Sequence, residues 1–276
     1  MNQQKKTVLI TGASSGIGLA TALYFYEKGW NVVATMRNPE KRQTLLHEKG
    51  LPDILHLDVL DKSSIEKTLH EAVEKYPKID VLVNNAGFAV FGPFEATTPD
   101  QISRQYQTNV FGLMEMTRSI LPVFRRQKGG VLINVASMAG RIGFPLYSIY
   151  NSTKWAVDGF SEALYYELKA LNIKVKIIEP GVIKTDFYDR SMSVADCSGL
   201  VEDYGPFLNK VMGPEASDKL NGSTPDLVAK VIYQAANDPG WQLRYTAGND
   251  AWQIMLLRTL LPESLFKFLV EKVMSK

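Results

Sequence analysis

Only one cysteine, Cys197, occurs in the 276 residues. A single thiol excludes an internal disulfide framework and suits a reducing compartment, so a cytoplasmic location is expected. Histidine is nearly as scarce. His47, His56 and His70 have no metal-ligand spacing and join no His/Cys cluster, so no metal site is expected. Neither sign of charge dominates: 31 basic side chains face 29 acidic ones, a formal +2. That balance gives no reason to expect nucleic acid as a partner. No apolar run reaches the length of a spanning helix, so no membrane-crossing segment is expected. No separate apolar core precedes the first strand-like segment, and a secretory signal is not expected. Repeats, linkers and low-complexity stretches are also missing, which makes one domain over residues 1–276 the simplest reading.

What is present is a regular alternation. Short apolar runs read as strands at 7–11, 31–36, 54–57, 79–83, 131–136 and 175–178, with a last one at 245–247. Between them lie segments with helical spacing at 19–28, 39–49, 63–76, 99–127 and 147–171. Ser63 and Glu66 stand in capping-box spacing, and Thr224-Pro225 has the form of a cap followed by a first helical proline. Buried strands alternating with helices predict an α/β fold, a doubly wound parallel sheet with helices on both faces. Residues 182–222 lose this regularity. Long irregular segments in compact domains are usually lids, and 187–222 is read as a substrate lid. The tail, 251–276, is amphipathic. Arg258, Glu263, Lys267 and Glu271 interrupt its apolar surface, so it is expected to rest on the body or a partner subunit rather than on a membrane.

Chemistry gathers at two places. The turn Gly12-Ala13-Ser14-Ser15-Gly16-Ile17-Gly18 follows a buried strand and opens a helix. Its glycines allow close backbone approach to a pyrophosphate, and the helix N-terminus offers free N–H groups. The end of the second strand should meet the adenosine ribose. An acid there would accept from a 2′-hydroxyl, whereas an arginine accommodates a 2′-phosphate. Thr35-Met36-Arg37 carries no acid, so NADP is preferred over NAD, with Arg37 on the phosphate.

The second place is Ser137 through Lys154. Tyr150 and Lys154 are four residues apart, one turn on one face of a helix. An ammonium beside a phenol favours the phenolate, which makes the pair a proton donor and acceptor for an alcohol or carbonyl. Ser137 stands at the C-terminal end of the 131–136 strand, on the sheet edge where ligands bind.

Together these residues resemble the short-chain dehydrogenase/reductase family over roughly residues 7–186. The motifs are Thr11-Gly12-Ala13-Ser14-Ser15-Gly16-Ile17-Gly18, Asn84-Asn85-Ala86-Gly87, Asn109, Ser137, Tyr150-x-x-x-Lys154, and Pro180-Gly181 followed by Thr185. The resemblance implies a seven-stranded Rossmann-type sheet, usually in a homodimer or homotetramer. It implies that Tyr150 is the general acid/base and that Lys154 lowers its pKa and binds the nicotinamide ribose. Ser137 would orient the substrate, and Asn109 would sit in a helix bulge that holds a proton-relay water. Asp58 and Val59 match adenine contacts. Asn85, Ala86 and Gly87 match the wall beside the adenosine ribose. Pro180, Gly181, Ile183 and Thr185 match nicotinamide and phosphate contacts. NADP-preferring members often place a basic residue just before the middle glycine. Ser15 stands there instead, which leaves Arg37 as the expected phosphate cation. Trp155 follows Lys154 and is expected to pack in the core.

Within the family the likeness is to the hydroxysteroid and retinol dehydrogenase branch, through 33–37 and 143–154. Phe144, Tyr147 and Phe187 fall in expected substrate loops and imply an apolar alcohol or carbonyl substrate. The competing reading is a non-catalytic NADP-sensing protein on the same fold. Such proteins tend to lose the Tyr/Lys pair, which this chain keeps.

Overall fold

In the computed structural model, residues 5–40, 45–184, 192–212 and 222–274 are described. Seven strands form one parallel sheet: β1 (Thr7–Ile10), β2 (Asn31–Met36), β3 (Ile54–His56), β4 (Val81–Asn84), β6 (Gly130–Val135), β7 (Ile173–Pro180) and β9 (Arg244–Ala247). Their order is β3-β2-β1-β4-β6-β7-β9. The order reverses between β1 and β4, and a crevice at that switch point is where open α/β sheets bind ligands.

Successive strand residues point to opposite faces, so one strand feeds two cores. Val8, Ile10 and Ile133 join Phe25 of α1 (Gly16–Glu27) and Ile232 of α8 (Pro225–Asn237). Leu9, Leu82 and Leu132 join Ile65 of α3 (Lys62–Lys75), Ile120 of α5 (Leu113–Arg126) and Leu164 of α6 (Ser148–Lys169). Burial on both faces explains why β1 and β4 are apolar without alternation.

Several local expectations shift. Asp61, not Ser63, caps α3: its carboxylate accepts from the Ser63 amide at 2.9 Å. The helix expected over 39–49 is described only as α2 (Leu45–Glu48). Pro39 and Glu40 form a turn, and 41–44 lie outside the described residues. The long helix at 99–127 is α4 (Pro99–Tyr106) and α5 joined by a π-helical turn at Gln107–Gly112. Part of the irregular 187–222 segment is regular after all. It carries β8 (Met192–Val194) and α7 (Val201–Met212). A three-residue Met-Ser-Val strand has no signal of its own; it exists by pairing in parallel with β5 (Ala89–Phe91).

Trp155 is a correction. It is 50% exposed on α6. The same helix turns Lys154, Asp158 and Ser161 inward, so its polar stripe faces the core and Trp155 faces out.

Lys176 of β7 is fully buried and makes four hydrogen bonds. It donates to Asp238 Oδ2 at 3.0 Å and to Gly240 O, Gln242 O and Tyr245 Oη at 2.9 Å each. This clasp ties the α8–β9 connection to the sheet. The tail forms α9 (Asn249–Leu260) and α10 (Glu263–Met274), anchored by buried Ala251 and Phe266. Among the described residues no helix is long and apolar enough to cross a membrane.

Candidate active site

The glycine-rich turn crosses the C-terminal edge of the sheet between β1 and α1. Gly12 has φ +69°, and a Cβ there would lie 2.9 Å from the Ala86 Cα. A Cβ on Gly18 would lie 2.3 Å from the Gly12 carbonyl oxygen. Both contacts require glycine, so the turn can lie directly on the 84–87 segment. The Thr11 hydroxyl fastens that segment by accepting from the Asn85 and Ala86 amides at 2.9 and 3.0 Å. The Asn85 side chain donates to Thr11 O at 2.9 Å and Gly12 O at 3.2 Å. Its amide therefore braces the turn, and its share in the wall falls to its backbone.

A cavity of about 320 Å³ opens at the switch point. It brings together Gly12, Ser14, Ser15, Arg37, Asp58, Val59, Asn85, Ala86 and Gly87 from the expected coenzyme set. A dinucleotide fits this cradle in shape and sign. Backbone lies close beneath it because side chains are missing at Gly12 and Gly87, and cations stand at its rim.

The catalytic candidates lie outside the residues that line this cavity. Ser137 follows β6 with extended backbone, and its Oγ accepts from the Ala139 amide at 3.1 Å. Its own O–H remains a donor. Tyr150 and Lys154 occupy the first two turns of α6, with the ammonium 5.7 Å from the Tyr150 ring centroid. Lys154 is buried and donates to Val135 O, two residues before Ser137, at 2.9 Å. Burial pulls its ammonium down to about 8. Gly140 closes the corner: a Cβ there would lie 2.8 Å from the Lys154 carbonyl oxygen. The Ser137 turn and the Lys154 turn thus touch backbone to backbone.

Asn109 lies in the π-helical turn, as the resemblance implies. Its side chain is clamped. Oδ1 accepts from Phe88 N at 3.0 Å, and Nδ2 donates to Phe88 O at 2.8 Å and Thr153 Oγ1 at 3.2 Å. Both amide protons are spent, so a relay water would have to use the Asn109 main-chain carbonyl. The side chain joins the 86–88 segment to α6, one residue before Lys154.

Pro180 ends β7, and the Gly181 amide donates to Ala247 O at 2.9 Å. The Ile183 side chain is buried in the core, so any coenzyme contact there falls to its backbone. Tyr147 meets the Tyr150 ring at 6.0 Å between centroids and the Phe91 ring at 4.7 Å. The Phe144 carbonyl accepts from Asn151 Nδ2 at 3.2 Å. Thr185 and Phe187 lie outside the described residues.

A family model described as short chain dehydrogenase matches residues 6–194. The chain belongs to that family. A Bacillus subtilis oxidoreductase, YusZ, is 38% identical over 97% of this chain and 98% of its own. A protein named 3-ketodihydrosphingosine reductase from Bacteroides thetaiotaomicron is 34% identical over 83% of this chain and 82% of its own. Among solved structures, a short-chain dehydrogenase from Streptomyces avermitilis superposes with TM-score 0.82 at 30% identity, covering 98% and 97% of the two chains. ElxO with NADP bound gives 0.74 at 27%, covering 91% and 100%. A 3-ketoacyl-(acyl-carrier-protein) reductase from Brucella melitensis complexed with NADH gives 0.73 at 25%, covering 89% and 98%. The chain is therefore an oxidoreductase that works with a nicotinamide coenzyme.

This short-chain dehydrogenase brings further residues to the site beyond those the sequence singles out. Thr11, which the sequence offers only as part of a motif, fixes the 84–87 segment with its hydroxyl. Arg104 of α4 lines the same cavity and lies 5.5 Å over the Phe88 ring, so Arg37 is not the only cation there. Met192 and Ser193 of β8 line it too. Tyr147 Oη reaches Met192 Sδ at 3.9 Å, and Gln101 donates to Ser193 at 3.2 Å. Nothing local marks Arg104 or β8; their roles arise from tertiary pairing.

Proposed function

We propose that this dehydrogenase interconverts an alcohol and a carbonyl with NADP rather than NAD, on an apolar, steroid-, retinoid- or lipid-like substrate. The observation that carries the reading is the corner around Lys154. Its buried ammonium lies against the Tyr150 ring behind the strand end that bears Ser137, and it spends one donor on Val135 O. Two donors have no partner among the described residues, in a place where the family puts the nicotinamide ribose.

Gly12, Ser14, Ser15, Gly16, Ile17 and Gly18 would hold the pyrophosphate, and Arg37 the 2′-phosphate. Asp58 and Val59 would hold the adenine, and Asn85, Ala86 and Gly87 the adenosine ribose. Pro180, Gly181, Ile183 and Thr185 would take the nicotinamide end. When bound, the coenzyme supplies or accepts the hydride. Tyr150 holds the proton at the substrate oxygen and moves it as the carbon is reduced or oxidised. Lys154 favours the phenolate through its charge. Ser137 donates its O–H to the same oxygen, a bond that strengthens as charge develops there. Asn109 keeps the 86–88 segment and α6 in register and offers its carbonyl to a relay water.

The relative named 3-ketodihydrosphingosine reductase supports a lipid-like ketone. Gly143-Phe144-Pro145 and Tyr147 support the apolar wall, with Phe187, and 187–222 serves as the lid. Pairing of β8 with β5 beside the cavity supports that lid. Exposed Trp155 and Tyr166 on α6 support assembly of two or four copies. The lone Cys197 supports a cytoplasmic enzyme.

A substrate panel of long-chain 3-ketones, steroids and retinoids with NADPH and NADH tests the reading. Turnover with NADPH at lower coenzyme concentration than NADH is expected. Coenzyme binding without turnover of any carbonyl or alcohol would favour the sensing reading instead.

A further inference from the structure

Behind the catalytic corner lies a group of charges that the chemistry above does not use. Arg244 of β9 forms a fork on Asp158, with Nη2–Oδ2 at 2.7 Å and Nε–Oδ1 at 3.3 Å. The same guanidinium contacts Glu162 and reaches Glu179 Oε1 at 3.5 Å. Arg141 Nη1 reaches Glu179 Oε1 from the other side at 3.4 Å. Thr246 Oγ1 donates to Glu179 Oε2 at 3.5 Å. Two arginines thus share three carboxylates, and Glu179 and Asp158 are buried.

Position gives the group its meaning. Arg141 directly follows the Ser137–Gly140 turn. Glu179 directly precedes Pro180-Gly181 at the end of β7. Asp158 and Glu162 continue the Tyr150–Lys154 stripe along α6 by one and two further turns. Arg244 holds all but the first of these from a single planar fork, a geometry a lysine lacks. Buried ion pairs are weak contributors to stability, because desolvation offsets much of their attraction. An array that buries two carboxylates, Glu179 and Asp158, needs another reason to stand here. Burial raises the Glu179 carboxyl above its ordinary range, and the two guanidinium groups oppose that shift.

We infer that Arg141, Glu179, Arg244 and Asp158 are positioning residues that lock three segments into one register: the Ser137 turn, the Lys154 face of α6 and the Pro180-Gly181 strand end. Their target is the nicotinamide half of the coenzyme site. The adenosine half, built on Gly12, Arg37 and Asp58, touches none of them. The inference rests on the assignment of Lys154, Pro180 and Gly181 to the nicotinamide end.

Calorimetric titration of the full chain tests it with two probes: NADPH, and 2′-phospho-ADP-ribose, which lacks the nicotinamide. Arg244→Lys keeps the charge and removes the fork. It should weaken NADPH about tenfold, as loss of well-placed charged hydrogen bonds does, while the fragment stays within about twofold. Arg141→Ala should give the same split in smaller measure, and Arg141→Lys should recover most of it. Equal weakening of both probes, or an unchanged ratio in both variants, would overturn the inference. Arg141 is partly exposed, so its variants report even if Arg244→Lys does not fold. A Tyr150→Phe control separates the two claims. Retained turnover there would sink the proton-carrier assignment and leave the probe ratio still informative about the array.

Discussion

Two lysines are buried among the described residues, and they differ in what surrounds them. Lys176 has four acceptors: a carboxylate, two carbonyls and a phenol. Asp238 is held well below the ordinary carboxylate range by the bond from Tyr245 first, then by the Gly240 amide and Lys176. Burial and the same carboxylate push the Tyr245 phenol up. Every donor of Lys176 has a partner, and the clasp is complete within the fold. Lys154 has one carbonyl and the face of a tyrosine ring. A buried charge with donors to spare is costly unless something else completes it. The first lysine is completed within the fold; the second, among the described residues, is not, and the ligand proposed above would complete it.

The sharpest way to break the comparison is at the neighbour of Lys154. Tyr150→Phe removes only the hydroxyl and keeps the ring against Lys154 and Tyr147. Turnover should fall by about 10²–10⁴, the usual worth of a positioned acid or base. Coenzyme affinity and melting temperature should hardly move. Near-normal turnover in a folded, coenzyme-binding variant would remove Tyr150 from the mechanism.

The second test is on the structural side. Lys176→Met leaves Asp238 and three further acceptors without their shared donor. Loss of one partner from a largely buried ion pair costs on the order of 3 kcal/mol. Chemical denaturation should show a loss of that size, with coenzyme affinity per folded molecule unchanged. A variant as stable as the parent would mean that the clasp is ornamental.

These contrasts also mark how far the sequence alone could reach. Local signals carried the seven strands, the glycine turn and the Tyr150–Lys154 face, because each depends on residues within one or two turns of the chain. Lys176 read as part of an ordinary strand, since its acceptors lie more than sixty residues away at 238–245. Arg104 was silent for the same reason, as it meets the Arg37 cavity only once α4 docks. Trp155 failed differently. Its apolar character was read as core, but the helix phase set by Lys154 and Asp158 turns it outward. The inward polar stripe was visible in the sequence and outranked the size of the indole. Asp61 took the cap from Ser63 because its carboxylate reaches the Ser63 amide directly.

Coenzyme choice sharpens the comparison on the open side of the site. Arg37 is exposed at the end of β2 and lines the cavity, whereas Lys154 is buried. Arg37→Ala should weaken NADPH by about 1.5–3 kcal/mol, the worth of a charged hydrogen-bond partner, and leave NADH almost unchanged. Arg104 lines the same cavity, so Arg104→Ala is the needed companion. If NADPH and NADH weaken equally in Arg37→Ala, the 2′-phosphate contact belongs elsewhere.

The smallest effect tests the unfinished lysine itself. Its folded pKa of about 8 lies below the 10.5 of a free lysine, so the unfolded chain binds more protons between those values. Stability from this group therefore rises as pH climbs from about 8 to 10.5, and below pH 8 the buried charge is a standing cost. A shift of that size corresponds to roughly 3 kcal/mol. Lys154→Met removes the charge and keeps most of the volume, but it also loses the charged bond to Val135 O, worth about 1.5–3 kcal/mol. The variant should then match the parent or exceed it by up to about 1.5 kcal/mol at pH 7, and it should lose any advantage by pH 10. It should also bind NADPH poorly. Denaturation of both proteins at pH 7 and pH 10 gives the difference directly, and other titrating groups cancel between them. A variant less stable at pH 7 by as much as Lys176→Met would show that Lys154, too, is a finished part of the fold.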